Sequence, residues 1–330
     1  MNRDKILELL QKERLSFVSG EDLSQRLGIT RAAVWKCIAA LRKEGYEIES
    51  RTRMGYRLCA VPDRISAEVI ARQISTAVVG RNIECFRCID STNNYAKQRA
   101  QNGAQDGLVI VAERQSDGRG RCGRSFESEV EKGVYMTVLL RPEVMPQEIL
   151  PITALAAVAA CNAVERVCGV RPGIKWTNDL VLNGKKICGI LTEMALEGES
   201  GRIQYVALGI GINVNHTAMD FSQEVGKIAT SLAAETGKTV SRSALIAALL
   251  EEIDQLYAQI GKNLSDYLSA YKKDCVMLGK EVRVLGGTHE YRAIARDIDD
   301  AFGLVVEREN GTLETIRSGE VSVRGMYGYV

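Results

Sequence analysis

Between positions 118 and 124 the chain reads Gly-Arg-Gly-Arg-Cys-Gly-Arg, three glycines interleaved with three arginines. Glycine lets a backbone close around a ligand. Arginine offers a planar fork of donors that fits phosphate or carboxylate. Three guanidinium groups this close repel one another unless an anion arrives, so the segment reads as a mobile anion-binding loop, with a solvated, ligand-free loop as the plain alternative. The spacing also satisfies GxGxxG. A dinucleotide fingerprint needs a helix directly after the third glycine, whereas here a polar turn leads to a strand at Val134.

Three further clusters carry polar chemistry. Lys175-Trp176-Thr177-Asn178-Asp179 precedes Lys185-Lys186-Ile187-Cys188-Gly189-Ile190-Leu191. The intervening Asn183-Gly184 marks a hairpin turn. The lysines would project toward the arginine loop, or else belong to a solvated turn. Asp90-Ser91-Thr92-Asn93-Asn94 lies between a strand and a helix. It is either a helix-capping cluster or a set of partners for a polar ligand group, and spacing does not separate the two. Gly209-Ile210-Gly211-Ile212-Asn213-Val214-Asn215 puts small residues on a buried strand, where a flat ligand or another backbone can approach. Gly237-Lys238-Thr239 is a decoy, because the glycine a phosphate loop needs five positions earlier is Leu232. No nucleophile–base pair is evident. Cations, glycines and amides suit a reaction whose barrier is charge neutralisation, namely phosphoryl or nucleotidyl transfer.

These residues need elements to hold them. Before Pro62, apolar spacing gives three helices: one on Ile6, Leu7, Leu9 and Leu10, one capped by Ser19 over Leu23 to Leu27, and one capped by Thr30 with Val34, Ile38 and Leu41 buried. Strands at Tyr46 to Ser50 and Tyr56 to Cys59 follow, joined by a basic tip. Arg31, Lys36, Arg42 and Lys43 on the third helix, with Arg51, Arg53 and Arg57 on the hairpin, suit phosphate contacts. Residues 1–61 hold 12 Lys/Arg against 8 Asp/Glu. A three-helix protein-interaction module is the alternative. The middle alternates buried strands (Leu108 to Ala112, Val134 to Leu140, Ile187 to Met194, Tyr205 to Ile212) with apolar helices (Pro151 to Val167, Ser243 to Ile260), an α+β pattern. Short strands at Glu281 to Leu285, Tyr291 to Asp297, Leu304 to Glu307 and Glu320 to Val323, punctuated by Gly286-Gly287, Asp299-Asp300 and Asn310-Gly311, predict a small β-barrel.

Composition excludes several classes. The chain has 330 residues, is 45% hydrophobic and carries a net charge of +1. A nucleic-acid-coating protein is therefore disfavoured, although a local basic patch is not. The charged N-terminus is no signal peptide. The apolar stretch from Ile152 to Val164 is too short to span a bilayer. Nine cysteines, an odd number without framework spacing, fit a reducing cytoplasm. Two histidines, His216 and His289, argue against a multi-histidine metal site. Cys85 and Cys88 form a CxxC without a second pair, on an expected strand from Ile83 to Ile89, so a structural role is favoured.

DSTNNYA, AERQSDGRGRCGRSF, KWTNDLVLNGKKICGILTE and GIGINVN stand in this order. Together with the N-terminal helices and the C-terminal strands, the chain resembles the bacterial bifunctional biotin–protein ligases and biotin-operon repressors over nearly its whole length. One departure is Thr177, where the family commonly has proline. The resemblance implies an α+β multidomain protein. Its parts would be a winged helix-turn-helix (1–62), a mixed sheet with helices like class II aminoacyl-tRNA synthetases (63–272) and an SH3-like β-barrel (273–330). It implies biotin and ATP with Mg²⁺ as substrates, biotinyl-5′-AMP as intermediate and corepressor, and a biotin carboxyl carrier protein, a subunit of acetyl-CoA carboxylase or a related carboxylase, as acceptor. Operator DNA and a second copy of the chain would be partners, with no membrane. Ser91, Thr92, Asn93 and Gln115 would hold biotin. Arg119, Gly120 and Arg121 would close over biotin and phosphates, and Lys186 would meet the carboxylate, with Arg121 and Lys186 catalytic. Lys175, Asn178 and Asp179 would contact nucleotide or Mg²⁺, Asp179 being the candidate metal ligand. Asn213 and Asn215 would line the adenylate pocket, and Thr30, Arg31, Lys36, Arg51 and Arg53 would meet DNA. A lipoate-type ligase and a non-catalytic ligand-sensing transcription factor are the rival readings.

Overall fold

In the computed structural model, which describes residues 2–13, 16–60, 63, 65–286, 289–317, 321–325 and 329, the chain divides into two compact units, Met1–Arg64 and Ile65–Val330. The boundary expected at Pro62, the turn residue Gly287 and the strand start at Glu320 lie outside the described residues.

The first unit has helices α1 (Asn2–Lys12), α2 (Gly20–Leu27) and α3 (Arg31–Lys43), then strands β1 (Glu47–Arg51) and β2 (Gly55–Ala60) paired antiparallel. The caps fall where the sequence puts them. Ser19 Oγ accepts from Asp22 N at 3.0 Å and Thr30 Oγ1 from Ala33 N at 3.2 Å. Ile6, Leu10, Leu23, Val34, Ile38, Leu41, Ile48 and Leu58 form a closed apolar core. Not every arginine of the expected basic face is outward. Arg42 Nε donates to Ile48 O at 3.0 Å, tying α3 to β1. Arg51 and Arg57 both pair with Glu49, at 2.7 and 2.6 Å, and both lie against the Phe17 ring. Arg31 and Lys36 are exposed on α3, and Trp35 beside them is 60% exposed. Arg53 stands exposed at the hairpin tip with φ +66°.

The second unit is built on a seven-stranded mixed sheet. Its strands are β3 (Asn82–Phe86), β4 (Leu108–Ala112), β5 (Gly133–Leu140), β6 (Gly173–Lys175), β7 (Asp179–Leu182), β8 (Lys185–Leu196) and β9 (Ile203–Asn213), in the order β3-β4-β5-β9-β8-β7-β6. Only β3–β4 is parallel. Its helices are α4 (Ala67–Ala71), α5 (Thr92–Gln101), α6 (Pro146–Ile149), α7 (Ile152–Cys168), α8 (Leu232–Thr236), α9 (Arg242–Tyr257) and α10 (Ser265–Asp274). Alternation along β5 sorts the two faces. Val134, Met136, Val138 and Leu140 join the core of α7 and α9. Leu139 joins α5, and Thr137 meets Asn93 of α5, on the opposite side. The helical run Pro146–Cys168 is 23 residues, long and apolar enough by length and composition to cross a membrane. That corrects the expectation of a stretch too short to do so. An 18-residue window of it is 72% buried inside this unit, and it forms the centre of the sheet's core.

Strands β10 (Glu281–Gly286), β11 (His289–Ile298), β12 (Leu304–Arg308), β13 (Leu313–Ile316) and β14 (Val321–Gly325) form a separate antiparallel sheet, ordered β13-β12-β11-β10-β14. This sheet shares the core of the larger one. Trp176 Nε1 donates to Phe302 O at 3.0 Å, joining the two sheets just behind β7. β6 and β13, four residues or fewer each, have no period long enough to read from sequence.

Two buried polar groups stand out. Arg242 is fully buried and paired with Glu113. His216, just beyond β9, is 2% exposed, with Nε2 at 3.2 Å from the Tyr135 hydroxyl and its ring stacked on Phe221. Loss of hydration pushes its pKa down to about 4; Lys132 and Arg242 add to this, and Asp220 and Glu127 oppose it. The unfolded chain thus binds this proton near pH 6.5, and the folded one only near 4. Its contribution is fully present above pH 6.5 and is lost as pH falls toward 4, a change of about 3 kcal/mol. Urea unfolding across that range should show this slope in the wild type and a flatter one in His216→Gln; equal slopes would refute the assignment.

Candidate functional site

The site lies on the α5 side of the large sheet. Ser91 opens α5 but makes no side-chain capping bond. The amide of Thr92 is instead received by Gln115 Oε1 at 2.9 Å, which also accepts from Thr92 Oγ1 at 3.1 Å. Gln115 Nε2 in turn donates to Ser128 Oγ at 3.2 Å. Thr137 donates to Asn93 Oδ1 at 2.6 Å, and Asn93 Nδ2 donates to Glu193 Oε2 at 2.9 Å. Lys97 pairs with Glu193 at 2.6 Å. Ser91, Thr92 and Asn93 are all buried. The cluster is thus a neutral, hydrogen-bonded pocket wall rather than a helix cap.

The floor explains the glycines. In the β8–β9 register Gly189 faces Gly211 and Leu191 faces Gly209. A Cβ on Gly209 would stand 2.1 Å from Asn93 Oδ1, and one on Gly211 would stand 2.8 Å from the Phe126 ring. A small pocket of about 30 Å³ lies here, between Ser91, Thr92, Asn93, Gln115, Arg119 and Phe126. Phe126 also borders a larger cleft of about 510 Å³, lined by Gly120, Arg121, Lys175, Asn178, Asp179, Lys186 and Asn213, with Phe221, Val225 and Ile228 as an apolar side.

Arg121 and Lys186 are held in one hydrogen-bonded run, with Lys175 beside its end. Arg121 Nη1 donates to Asn178 Oδ1 at 2.9 Å. Asn178 Nδ2 donates to Asp179 Oδ1 at 3.1 Å and to Ile190 O at 3.0 Å. Lys186 Nζ reaches the same Asp179 oxygen at 2.6 Å. Tyr329 donates to the other Asp179 oxygen, and Lys175 Nζ stands 3.5 Å from the centre of the Tyr329 ring. Tyr271 donates to Thr177 O at 3.1 Å, pinning the corner from behind, and the Trp176–Thr177 peptide is cis. The glycine–arginine loop is folded onto this run. Gly120 N bonds Arg124 O at 2.7 Å and Phe126 N bonds Gly118 O at 2.8 Å around a single 3₁₀ turn, Arg121–Gly123. Arg119 lies outermost, paired with Asp117 at 3.1 Å.

The asparagines at the end of β9 and two residues beyond it differ. Asn213 lines the cleft and donates to Thr230 O at 3.0 Å. Asn215 lies off the cleft wall, where it donates to Val240 O at 2.9 Å and accepts from Val240 N at 3.0 Å. Lys186 N bonds Ile228 O at 2.8 Å, so the same residue fixes the apolar side. Among the described residues no group of three or more His, Cys, Asp or Glu could cage a metal. Cys85 is half-buried in β3, and burial pushes its thiol up to about 11, which leaves it inert at neutral pH. Sequence reasoning gave no role to Phe126, Thr137, Glu193, Phe221 or Tyr329. Phe126 and Glu193 close two of the quoted motifs, and Thr137 is a polar residue within an otherwise apolar strand, but Phe221 and Tyr329 carry no such signal.

The chain is similar to known proteins in three stretches. Residues 85–213 match the biotin/lipoate A/B protein ligase family, residues 2–57 an HTH domain, and residues 277–324 the biotin protein ligase C terminal domain. The chain is 36% identical over 324 residues to the bifunctional ligase/repressor BirA of Bacillus subtilis, covering 97% of this chain and 98% of that one. It is 30% identical over 311 residues to the BirA of Escherichia coli, covering 93% of each. The solved biotin protein ligase from Aquifex aeolicus in complex with biotin and ATP superposes with a TM-score of 0.64 at 27% identity, covering 74% of this chain and 99% of that one.

Because a methyl at position 209 would collide with Asn93, Gly209→Ala should displace that amide and weaken ligand binding in the small pocket at least tenfold, the order of one or two lost hydrogen bonds. Calorimetric titration would read this, and unchanged affinity would show that the close approach is incidental.

Proposed function

Since the chain belongs to the bacterial family of bifunctional biotin ligase/repressors, we propose that the neutral pocket and the cationic cleft are the two halves of one adenylation site. The chain is an ATP-dependent biotin–protein ligase. The biotin carboxylate attacks the α-phosphorus of MgATP, pyrophosphate leaves, and biotinyl-5′-AMP forms. A lysine amine of a carboxylase carrier protein then attacks the acyl carbon and AMP departs. The observation that carries the site assignment is Phe126, which borders both the amide-lined pocket and the cation-lined cleft. A ligand with a neutral polar head and an anionic tail fits that pair.

In this reading Ser91, Thr92, Asn93 and Gln115 hold biotin. Arg119, Gly120 and Arg121 lie over biotin and the phosphates. Lys186 meets the biotin carboxylate and offsets the charge that builds as two anions are brought together. Lys175, Asn178 and Asp179 serve the nucleotide, and Asn213 lines its side of the cleft. Asn215 acts at one remove, by fixing Val240. Asp179, with lysines around it and no group of three or more possible ligands among the described residues, is no cage for a resident metal. It does suit an ion that keeps its waters and arrives on phosphates, so Mg²⁺ enters with ATP and Asp179 is the side chain placed to meet it. Closure of the arginine loop would keep water from the mixed anhydride.

The first unit makes the protein a DNA-binding repressor as well. In detail we read it as a winged helix-turn-helix (1–62) that uses Thr30, Arg31, Lys36, Arg51 and Arg53, Arg51 only after parting from Glu49. The remaining divisions are the catalytic domain (63–272) and an SH3-like barrel (273–330). The adenylate favours a cytoplasmic homodimer that binds a two-fold operator, and the carrier protein relieves repression by consuming the adenylate.

Biotin should support Mg²⁺-dependent exchange of labelled pyrophosphate into ATP, and lipoate should not. Exchange with lipoate alone would favour the rival ligase, and none with either acid would favour a sensor without catalysis. Arg121→Ala should slow exchange about 10²-fold with the unfolding midpoint little changed. In a gel-shift assay, biotin plus ATP should tighten operator binding, and indifference to both would refute the corepressor role.

A further inference from the structure

Tyr329 enters the cleft from the C-terminal end of the chain and touches groups of both signs. Its hydroxyl donates to Asp179 Oδ2, and its ring face lies 3.5 Å from Lys175 Nζ. Lys175 and Asp179 are register partners across β6–β7, and the other Asp179 oxygen accepts from Lys186 at 2.6 Å. One neutral side chain therefore joins Lys175 to Asp179, which in turn holds Lys186. Left to itself, a carboxylate among lysines turns toward them and cancels the charge that incoming phosphates need. A phenol donating to one of its oxygens fixes its rotation and draws off part of its negative charge. The ring holds the second ammonium beside it through the cation–π attraction. Both parts of tyrosine are used: phenylalanine would keep the ring and lose the donor, and an aliphatic residue would lose both.

We propose that Tyr329 is a positioning residue for adenylation. It orients Asp179 and Lys175 so that Lys175 is presented to the phosphates of MgATP, while Lys186 keeps its own bond to the other Asp179 oxygen. This rests on reading the cleft as the nucleotide site. The role is directed at the nucleotide, because Tyr329 lines the larger cleft and meets Asp179 and Lys175, the residues read as serving the nucleotide.

The test compares the full chain with Tyr329→Phe and Tyr329→Leu in biotin-dependent pyrophosphate exchange, alongside calorimetric biotin binding without nucleotide and thermal unfolding. The phenylalanine variant should raise KM for MgATP about tenfold, the order of one hydrogen bond to a charged group. The leucine variant should raise it further. Biotin affinity and the unfolding midpoint should match the wild type in both. An unchanged KM, a lowered KM (the result if the ring merely plugged the cleft), or a parallel loss of biotin affinity would overturn the assignment. Absence of exchange in the wild type would instead remove the nucleotide reading itself.

Discussion

The carboxylate of Asp179 accepts from Lys186, Asn178 and Tyr329, and the geometry of the cleft is arranged around that convergence. Cations gathered in one cleft repel one another, and a single shared acceptor is the simplest way to keep them adjacent. The acceptor must itself be fixed. Asp179 begins β7, directly after a corner tied down by the Trp176 indole on Phe302 and the Tyr271 hydroxyl on Thr177. A tight Asn183–Gly184 turn, with φ +48° and +76°, returns the chain. The irregular pairing at Leu180/Val181 then lets Lys186 reach back to Asp179. Each of these devices serves one ion pair.

The large sheet imposes a second condition. One face carries valine, leucine and isoleucine into a core with α7 and α9. The opposite face gives up bulk near the site, with Gly189, Gly209 and Gly211 under Asn93 and Phe126. Those positions exchange packing for room, which a seven-stranded sheet with a full core on its other side can sustain.

Much of this was legible in the sequence because it is local. Ser19 and Thr30 cap the helices they were read to cap, the Asn183–Gly184 hairpin forms, and β4 has the predicted ends. The polar cluster at 90–94 was ambiguous because capping and ligand binding favour the same residue types; the choice depends on Gln115, 23 residues away from Thr92. Phe126 stood inside a quoted motif but drew no role, since it carries no charge pattern or period; Tyr329 was not legible at all, because only the tertiary fold brings it to a residue 150 positions earlier. The basic count of the first unit was readable, but not its division between Arg31, Lys36 and Arg53, which face outward, and Arg42, Arg51 and Arg57, which are engaged within the unit.

The two tryptophans stand at opposite extremes of solvent contact. Trp35 on α3 is 60% exposed and Trp176 behind the cationic cleft is 4% exposed. An indole in water emits at longer wavelength than one buried among apolar groups. The chain therefore carries two optically distinguishable reporters, a red-shifted one on the helix read as facing DNA and a blue-shifted one at the corner that positions Asp179. A single emission spectrum, resolved into its two bands, would follow events at both surfaces without any added label.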